Sequence, residues 1–421
     1  MNIWEVSPQI STPEEVSKIV KKLRKLDVSK MEDHVLELPV QIKSAFETAL
    51  KYDEGDMPLS RDKVHLIGLG GSAIAGDLIG DMLENPNKVI VHRGSIPPRD
   101  TRGVIVSSYS GSTREIIQIA DQVYGGLRSN VYISSGGELT RMAWEQSIPI
   151  WRIPTGYQPR AALGWALGLA ISLMVRWDIV LPKQVEKLEK AATRLAVSLD
   201  KDEPTEHPLI RAALPISTTI KGKSVIVFYS KACTGIATRL SAQLNENSNH
   251  PAFQIEIPEG LHNAVEGLIN LDHKKWAMIF LADPNDSPDL RETFSIAAEY
   301  FDEKGFACLP FPAAGSDQFE LTLSRIVLAD FVSLFLAALK GNDPTELKVI
   351  PEIKLRGEPP KSEPDPEPDP EPESNSVSTD EPDPEMESKK DVEPWIPPDD
   401  LDENFNQDIG SENSEQPKSN E

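Results

Sequence analysis

From Lys63 onward, short apolar runs rich in Val and Ile alternate with longer segments whose apolar positions recur every three to four residues. Val64–Leu69, Lys88–His92, Gly103–Ser107, Asn130–Ser134 and Ile150–Ile153 read as strands, and Ser72–Leu83, Thr113–Val123 and Leu139–Gln146 as the helices between them. Arg160–Trp177 predicts a largely buried helix and Gln184–Leu199 an amphipathic one. The period then restarts, with strands at Ser224–Tyr229, Phe253–Ile257, Trp276–Leu281 and Ala307–Pro310. Helices are expected at Thr234–Asn245, Asp289–Lys304 and Glu320–Leu339, the last stopped by Gly341-Asn342-Asp343-Pro344. Strands alternating with helices imply doubly wound parallel sheets, and the restart implies two stacked α/β domains. Upstream, Thr12-Pro13-Glu14-Glu15 caps a helix running to Leu26, and Met31–Tyr52 predicts a second helix carrying Leu36, Leu38, Ile42 and Phe46.

The periodicity ends near Lys354. Glu363–Glu373 alternates acid with proline, and Glu381–Glu385 echoes it. Such a segment has too little to bury and repels itself, so it is expected to be disordered. Residues 357–421 hold 22 acids and 4 bases, which is −18 of the net −24 and leaves −6 for residues 1–356. The folded part therefore lacks the basic excess of a nucleic-acid binder. Trp395 and Phe405 are the tail's only aromatics, and no partner for it can be named. The expected divisions are a helical N-terminal segment (1–56), two α/β domains (57–200 and 201–356) and the tail (357–421). The run Ala161–Val175 is too short to span a bilayer, and Met1–Glu5 does not resemble a signal peptide. Cys233 and Cys308 are far apart in sequence, which fits a reducing cytoplasm and no disulfide scaffold.

Chemistry concentrates where strands meet helices. Ser107, Ser108, Ser110, Ser112 and Thr113 crowd one such junction, and Gly68-Leu69-Gly70-Gly71-Ser72 forms another. Unpaired N–H groups at a helix start, with short hydroxyls beside them, suit a phosphate. Gly68-x-Gly70-x-x-Ala73 also fits a dinucleotide fingerprint, but the next strand ends in His92-Arg93 rather than a ribose-binding acid. An NADP reading survives that departure without explaining the second hydroxyl-rich loop. Helix capping alone would need one of the five hydroxyls. Arg160, at the mouth of a buried helix, is a surface cap or the stabiliser of an enediolate. Glu246, within Gln243-Leu244-Asn245-Glu246-Asn247, is a solvated helix-end acid or part of a polar pocket. His262 follows a strand, and the histidines show no metal-ligand spacing.

The motifs GLGGSAIAGDL (68–78), SYSGST (108–113), GYQPRAALG (156–164), QLNEN (243–247), PEGLHN (258–263), DFVSLFLA (330–337) and GNDPT…IPEIK (341–354) occur in order. Together they resemble the bifunctional phosphoglucose/phosphomannose isomerase family, built from two sugar isomerase (SIS) domains. The resemblance implies that Gly70, Gly71, Ser72, Ser108, Ser110 and Thr113 bind the phosphate of a hexose 6-phosphate. It implies that Arg160 stabilises a cis-enediolate, that Glu246 moves the proton between C1 and C2, and that His262 and Lys354 assist ring opening. It further implies no cofactor or metal, and a homodimer in which the histidine reaches the neighbouring site. Two positions depart from the pattern: Ser112 stands where Asn is usual, and Asn249 where Lys is usual, a change expected to weaken substrate binding or alter selectivity. The acidic tail is an addition to it. A non-catalytic sugar-phosphate sensor is the alternative, since SIS domains also serve as binding modules.

Overall fold

The computed structural model describes residues 9–52, 63–94, 103–124, 130–199 and 204–357. Three helices come first: α1 (Pro13–Leu26), α2 (Met31–Leu36) and α3 (Leu38–Ala49). The Glu15 N–H donates to Thr12 Oγ1 and the Thr12 N–H to the Glu15 carboxylate, so α1 opens with a reciprocal cap. The single helix expected over Met31–Tyr52 is two. Pro39 has no N–H to offer the Val35 carbonyl, and the chain restarts as α3 at Leu38.

The first α/β layer runs β1 (Val64–Ile67), α4 (Gly71–Met82), β2 (Val89–His92), β3 (Val104–Ser107), α5 (Arg114–Tyr124), β4 (Asn130–Ser134), α6 (Gly137–Glu145) and β5 (Ile150–Arg152). Helices α7 (Leu163–Arg176), α8 (Pro182–Ser198) and α9 (Pro208–Ile220) lead to the second. There follow β6 (Ser224–Tyr229), α10 (Thr234–Ser248), β7 (Ala252–Glu256), α11 (Ala264–Leu268), β8 (Trp276–Leu281), α12 (Pro288–Glu303), β9 (Ala307–Pro310), α13 (Gln318–Lys340) and α14 (Val349–Gly357). The pattern of the chain does not announce α9, because Pro215 sits inside it. Tertiary contact overrides that propensity: Ser217 Oγ donates to the Val332 carbonyl of α13 at 2.9 Å.

Both sheets are parallel, in the orders β2-β1-β3-β4-β5 and β7-β6-β8-β9. The inner strands β1, β3, β4, β6 and β8 are buried on both faces, and period-two alternation divides their side chains between layers. Val225 and Val227 of β6 join the large core shared by both sheets, whereas Ile226 and Phe228 join a separate core with Phe294 and Phe301 of α12. In β1, Val64 and Leu66 face the shared core and Ile67 faces Ile116 and Ile119 of α5. Helix α13 is long and apolar enough to cross a membrane by length and composition, longer than the Ala161–Val175 run. Its apolar window is wholly buried, as befits a core helix. Burial pushes the Cys233 thiol up to about 12, so this buried free cysteine is held as a neutral thiol.

The described residues form one compact unit. The acidic tail with Trp395 and Phe405, expected to be disordered, and the Met1–Glu5 segment lie outside the described residues.

Candidate active site

In the first sheet the strand order reverses between β1 and β3, and a crevice forms at the carboxyl ends of such strands. Ile67 pairs with Val106, so the loops after β1 and β3 leave the sheet side by side. The two loops approach so closely that a Cβ on Gly68 would stand 3.2 Å from the Ser107 carbonyl. Gly70 has φ +53°, a left-handed conformation that favours glycine. α4 begins directly afterwards, with Ser72 buried in its first turn.

The second loop is a tight coil. The Gly111 N–H donates to the Ser108 carbonyl at 3.0 Å, and Ser108 Oγ donates to Thr113 Oγ1 at 3.2 Å. Ser110 is exposed, and the Ser112 N–H donates to its hydroxyl at 3.3 Å. A third strand–helix turn, Ser134-Ser135-Gly136-Gly137, buttresses this coil. A Cβ on Gly111 would overlap the Gly136 carbonyl at 1.8 Å. The sequence reading does not single out this turn, although its serines and glycines carry the same strand–helix signature.

Arg160 joins the two halves of the molecule. Its backbone lies against the start of α4, where a Cβ on Gly71 would meet the Pro159 carbonyl at 3.0 Å and Arg160 Cα at 3.3 Å. Its side chain, 4% exposed, reaches the last turn of α10. Nε donates to Asn247 Oδ1 at 2.6 Å, and Nη1 lies 3.5 Å from Glu246 Oε2. Nη2 donates to the carbonyls of Pro344 (2.8 Å) and Thr345 (3.3 Å). Burial lowers the guanidinium pKa from its ordinary value, and Glu246 opposes that shift. Glu246 itself is 28% exposed, so its carboxylate is partly open to a ligand.

Behind these groups α13 supplies a rigid back wall. Asp330 takes both Arg239 Nε (2.9 Å) and Nη2 (2.7 Å), and Gln243 Nε2 donates to the same carboxylate. Arg239 Nη1 donates to the Arg160 carbonyl at 3.2 Å. Asn247 Nδ2 donates to Ser333 Oγ, whose own hydroxyl donates to the Asp330 carbonyl. Bidentate ion pairing in a buried setting fixes geometry more than it adds stability. Asp330 and Ser333 come from the motif DFVSLFLA, whose role as scaffold its apolar composition conceals.

The structure brings Gly70, Gly71, Ser72, Ser108, Ser110, Thr113, Arg160 and Glu246 to one end of the first sheet. It does not bring in the other two expected residues. His262 closes a short turn after β7 and is exposed, and no described hydrogen bond or ion pair ties it to Arg160 or Glu246. Lys354 is exposed on α14, four residues past the end of a segment (Pro344–Ile350) whose start is anchored on Arg160. Asn249, where lysine is usual, takes a left-handed conformation (φ +46°) and ends α10, a place that asparagine tolerates well.

The second sheet has its own crevice of about 590 Å³, lined in part by Asp81, Lys231, Asp283 and Asp286. There the start of α10 is already occupied. The Asp81 carboxylate accepts the N–H groups of Gly235 (2.8 Å) and Ile236 (3.1 Å). The Asp81 carboxyl thus caps the start of α10 itself, whereas no described side-chain hydrogen bond caps the start of α4.

Residues 211–356 match the family described as the bacterial phospho-glucose isomerase C-terminal SIS domain. The chain is 30% identical to a bifunctional phosphoglucose/phosphomannose isomerase of Caldicellulosiruptor bescii, over 77% of this chain and 98% of that one. It is also 30% identical to the protein of the same name from Aquifex aeolicus, over 68% of this chain and 88% of the other. In fold it is similar to a hypothetical protein from Thermus thermophilus, with a TM-score of 0.59 and 16% identity over 82% of this chain and 97% of that chain.

Proposed function

Because the chain belongs to the bifunctional phosphoglucose/phosphomannose isomerase family, we propose that it interconverts glucose 6-phosphate and mannose 6-phosphate with fructose 6-phosphate through a cis-enediol. The observation that carries this reading is the position of Arg160, between the first turn of α4 and the Glu246 carboxylate. A phosphate held by Ser72, Ser108, Ser110 and Thr113 leaves the sugar's C1 and C2 to extend toward Arg160. Glu246 takes the proton from one of these carbons and returns it to the other. The charge that develops on the enediolate oxygen is met by the guanidinium, which is already oriented by Asn247, Pro344 and Thr345. Positive charge at that oxygen therefore comes from the protein and requires no metal. Rotation about the C2–C3 single bond turns the other face of the cis-enediol toward Glu246, so the proton can return to either face of C2, giving both aldoses.

In this reading residues 57–200 form the phosphate-binding SIS domain and 201–356 the domain that supplies the base. The working form is a cytoplasmic homodimer in which His262 opens the sugar ring in the neighbouring site, and Lys354 assists from α14. His262 lies exposed on its own chain, which suits that role. Full activity from a monomer, measured by sedimentation at the assay concentration, would contradict the shared site.

The test is incubation with fructose 6-phosphate and a chelator, without a nicotinamide cofactor. Glucose 6-phosphate and mannose 6-phosphate should both accumulate. Saturable binding without turnover would favour the sensor alternative, and turnover only with NADP would favour a dehydrogenase.

A further inference from the structure

We propose that Tyr109 is a positioning residue that ties occupancy of the second phosphate loop to the placement of Arg160. The inference rests on the isomerase reading but concerns a residue to which that reading gives no role. Tyr109 lies between Ser108 and Ser110, and its side chain leaves the loop toward the strap that carries Arg160. Its hydroxyl donates to the Pro154 carbonyl at 3.2 Å and accepts the Tyr157 N–H at 2.8 Å. One phenol thus holds both sides of the turn Pro154-Thr155-Gly156-Tyr157, in which Gly156 has φ +94°.

The main chain of the strap makes few other bonds. Among the described hydrogen bonds, the other main-chain bond made by residues 154–158 is from the Ala161 N–H to the Gln158 carbonyl, which closes the turn at Arg160 itself. The Tyr157 ring lies 4.9 Å from that of His34, and both tyrosines pack at the edge of the shared core. At its other end Tyr109 is rigid. Its carbonyl accepts the Ser135 N–H (2.9 Å) and Ser135 Oγ (2.6 Å), in the turn that buttresses the phosphate loop. The Tyr109 hydroxyl therefore links the second loop to the strap at Pro154 and Tyr157, and three residues of backbone carry that link on to Arg160. Through it, binding of the non-reacting phosphate sets the geometry at the reacting carbons.

Tyr109→Phe keeps the ring and its packing and removes the hydroxyl with its two bonds to the strap. With fructose 6-phosphate the variant should lose about 10- to 100-fold in kcat, the range expected when a group shifts by about an ångström. The inhibition constant of inorganic phosphate and the melting temperature should stay close to wild type. A coupling readout independent of turnover is amide hydrogen exchange at Tyr157 and Arg160. Saturating inorganic phosphate should slow exchange there in the wild type and have no effect in Tyr109→Phe. An unchanged kcat, a fall in kcat matched by an equal loss of phosphate binding, or a phosphate effect that persists in the variant would overturn the proposal. Absence of isomerase activity in the wild type would instead remove the parent reading, and the exchange measurement would still report on the coupling.

Discussion

Glu246→Gln is expected to lower kcat for fructose 6-phosphate by about 10²- to 10⁴-fold, the range that a positioned general base supplies. The amide has nearly the shape of the carboxylate and still offers Arg160 Nη1 an acceptor, but it cannot take a proton at neutral pH. KM should remain within about twofold, because the phosphate grip comes from other residues and the lost interaction belongs to the transition state. Stability should hardly change: the Glu246–Arg160 contact is 3.5 Å long and its carboxylate is partly exposed, so it contributes little to folding. Coupled-enzyme kinetics and a urea unfolding curve check these expectations together. Equal falls in turnover and stability would mean that Glu246 is a structural residue.

Arg160→Lys is expected to fail in both respects. An ammonium keeps the charge, but its three donors radiate from one nitrogen and cannot reach the separated acceptors that Nε, Nη1 and Nη2 meet on Asn247, Glu246 and the carbonyls of Pro344 and Thr345. Loss of an oriented donor at a developing oxyanion costs about 10²- to 10³-fold in kcat. The variant also leaves the buried Asn247 Oδ1 and a carbonyl without their donor, at about 1–3 kcal/mol for each unsatisfied group. The urea midpoint should therefore fall in Arg160→Lys and hold in Glu246→Gln. Opposite ordering of the two midpoints would contradict the contact network described above.

Much of this architecture is legible in the chain, for identifiable reasons. Strands buried on both faces are continuous apolar runs, so β1, β3, β6 and β8 can be read nearly to the residue. The two loops after β1 and β3 are visible because their chemistry is local: glycines and hydroxyls lie between a strand and the helix that follows. Helix α9 is hidden because Pro215 opposes it locally and only contact with α13 decides the outcome. The break between α2 and α3 turns on one missing N–H, at Pro39, inside an otherwise helical pattern. Long-range partnerships leave no local trace. Nothing in the sequence pairs Asp330 with Arg239, or Asn247 with Ser333, and these bonds hold Arg160 and Glu246 in place. From sequence Asn249 is expected to alter binding, whereas its left-handed backbone gives a local reason for asparagine at that position.

The central claim is that an acid from the second half of the chain lies over the reacting carbons of a sugar whose phosphate is held by the first half. A crystal structure of the Glu246→Gln variant with fructose 6-phosphate tests it most directly. The account predicts phosphate oxygens within hydrogen-bonding distance of Ser72, Ser110 and Thr113. It also predicts the side chain at position 246 about 3–3.5 Å from C1 or C2, as a near-attack arrangement requires. A sugar phosphate seated instead in the crevice beside Asp81 and Lys231, or one whose carbons point away from Arg160, would contradict it.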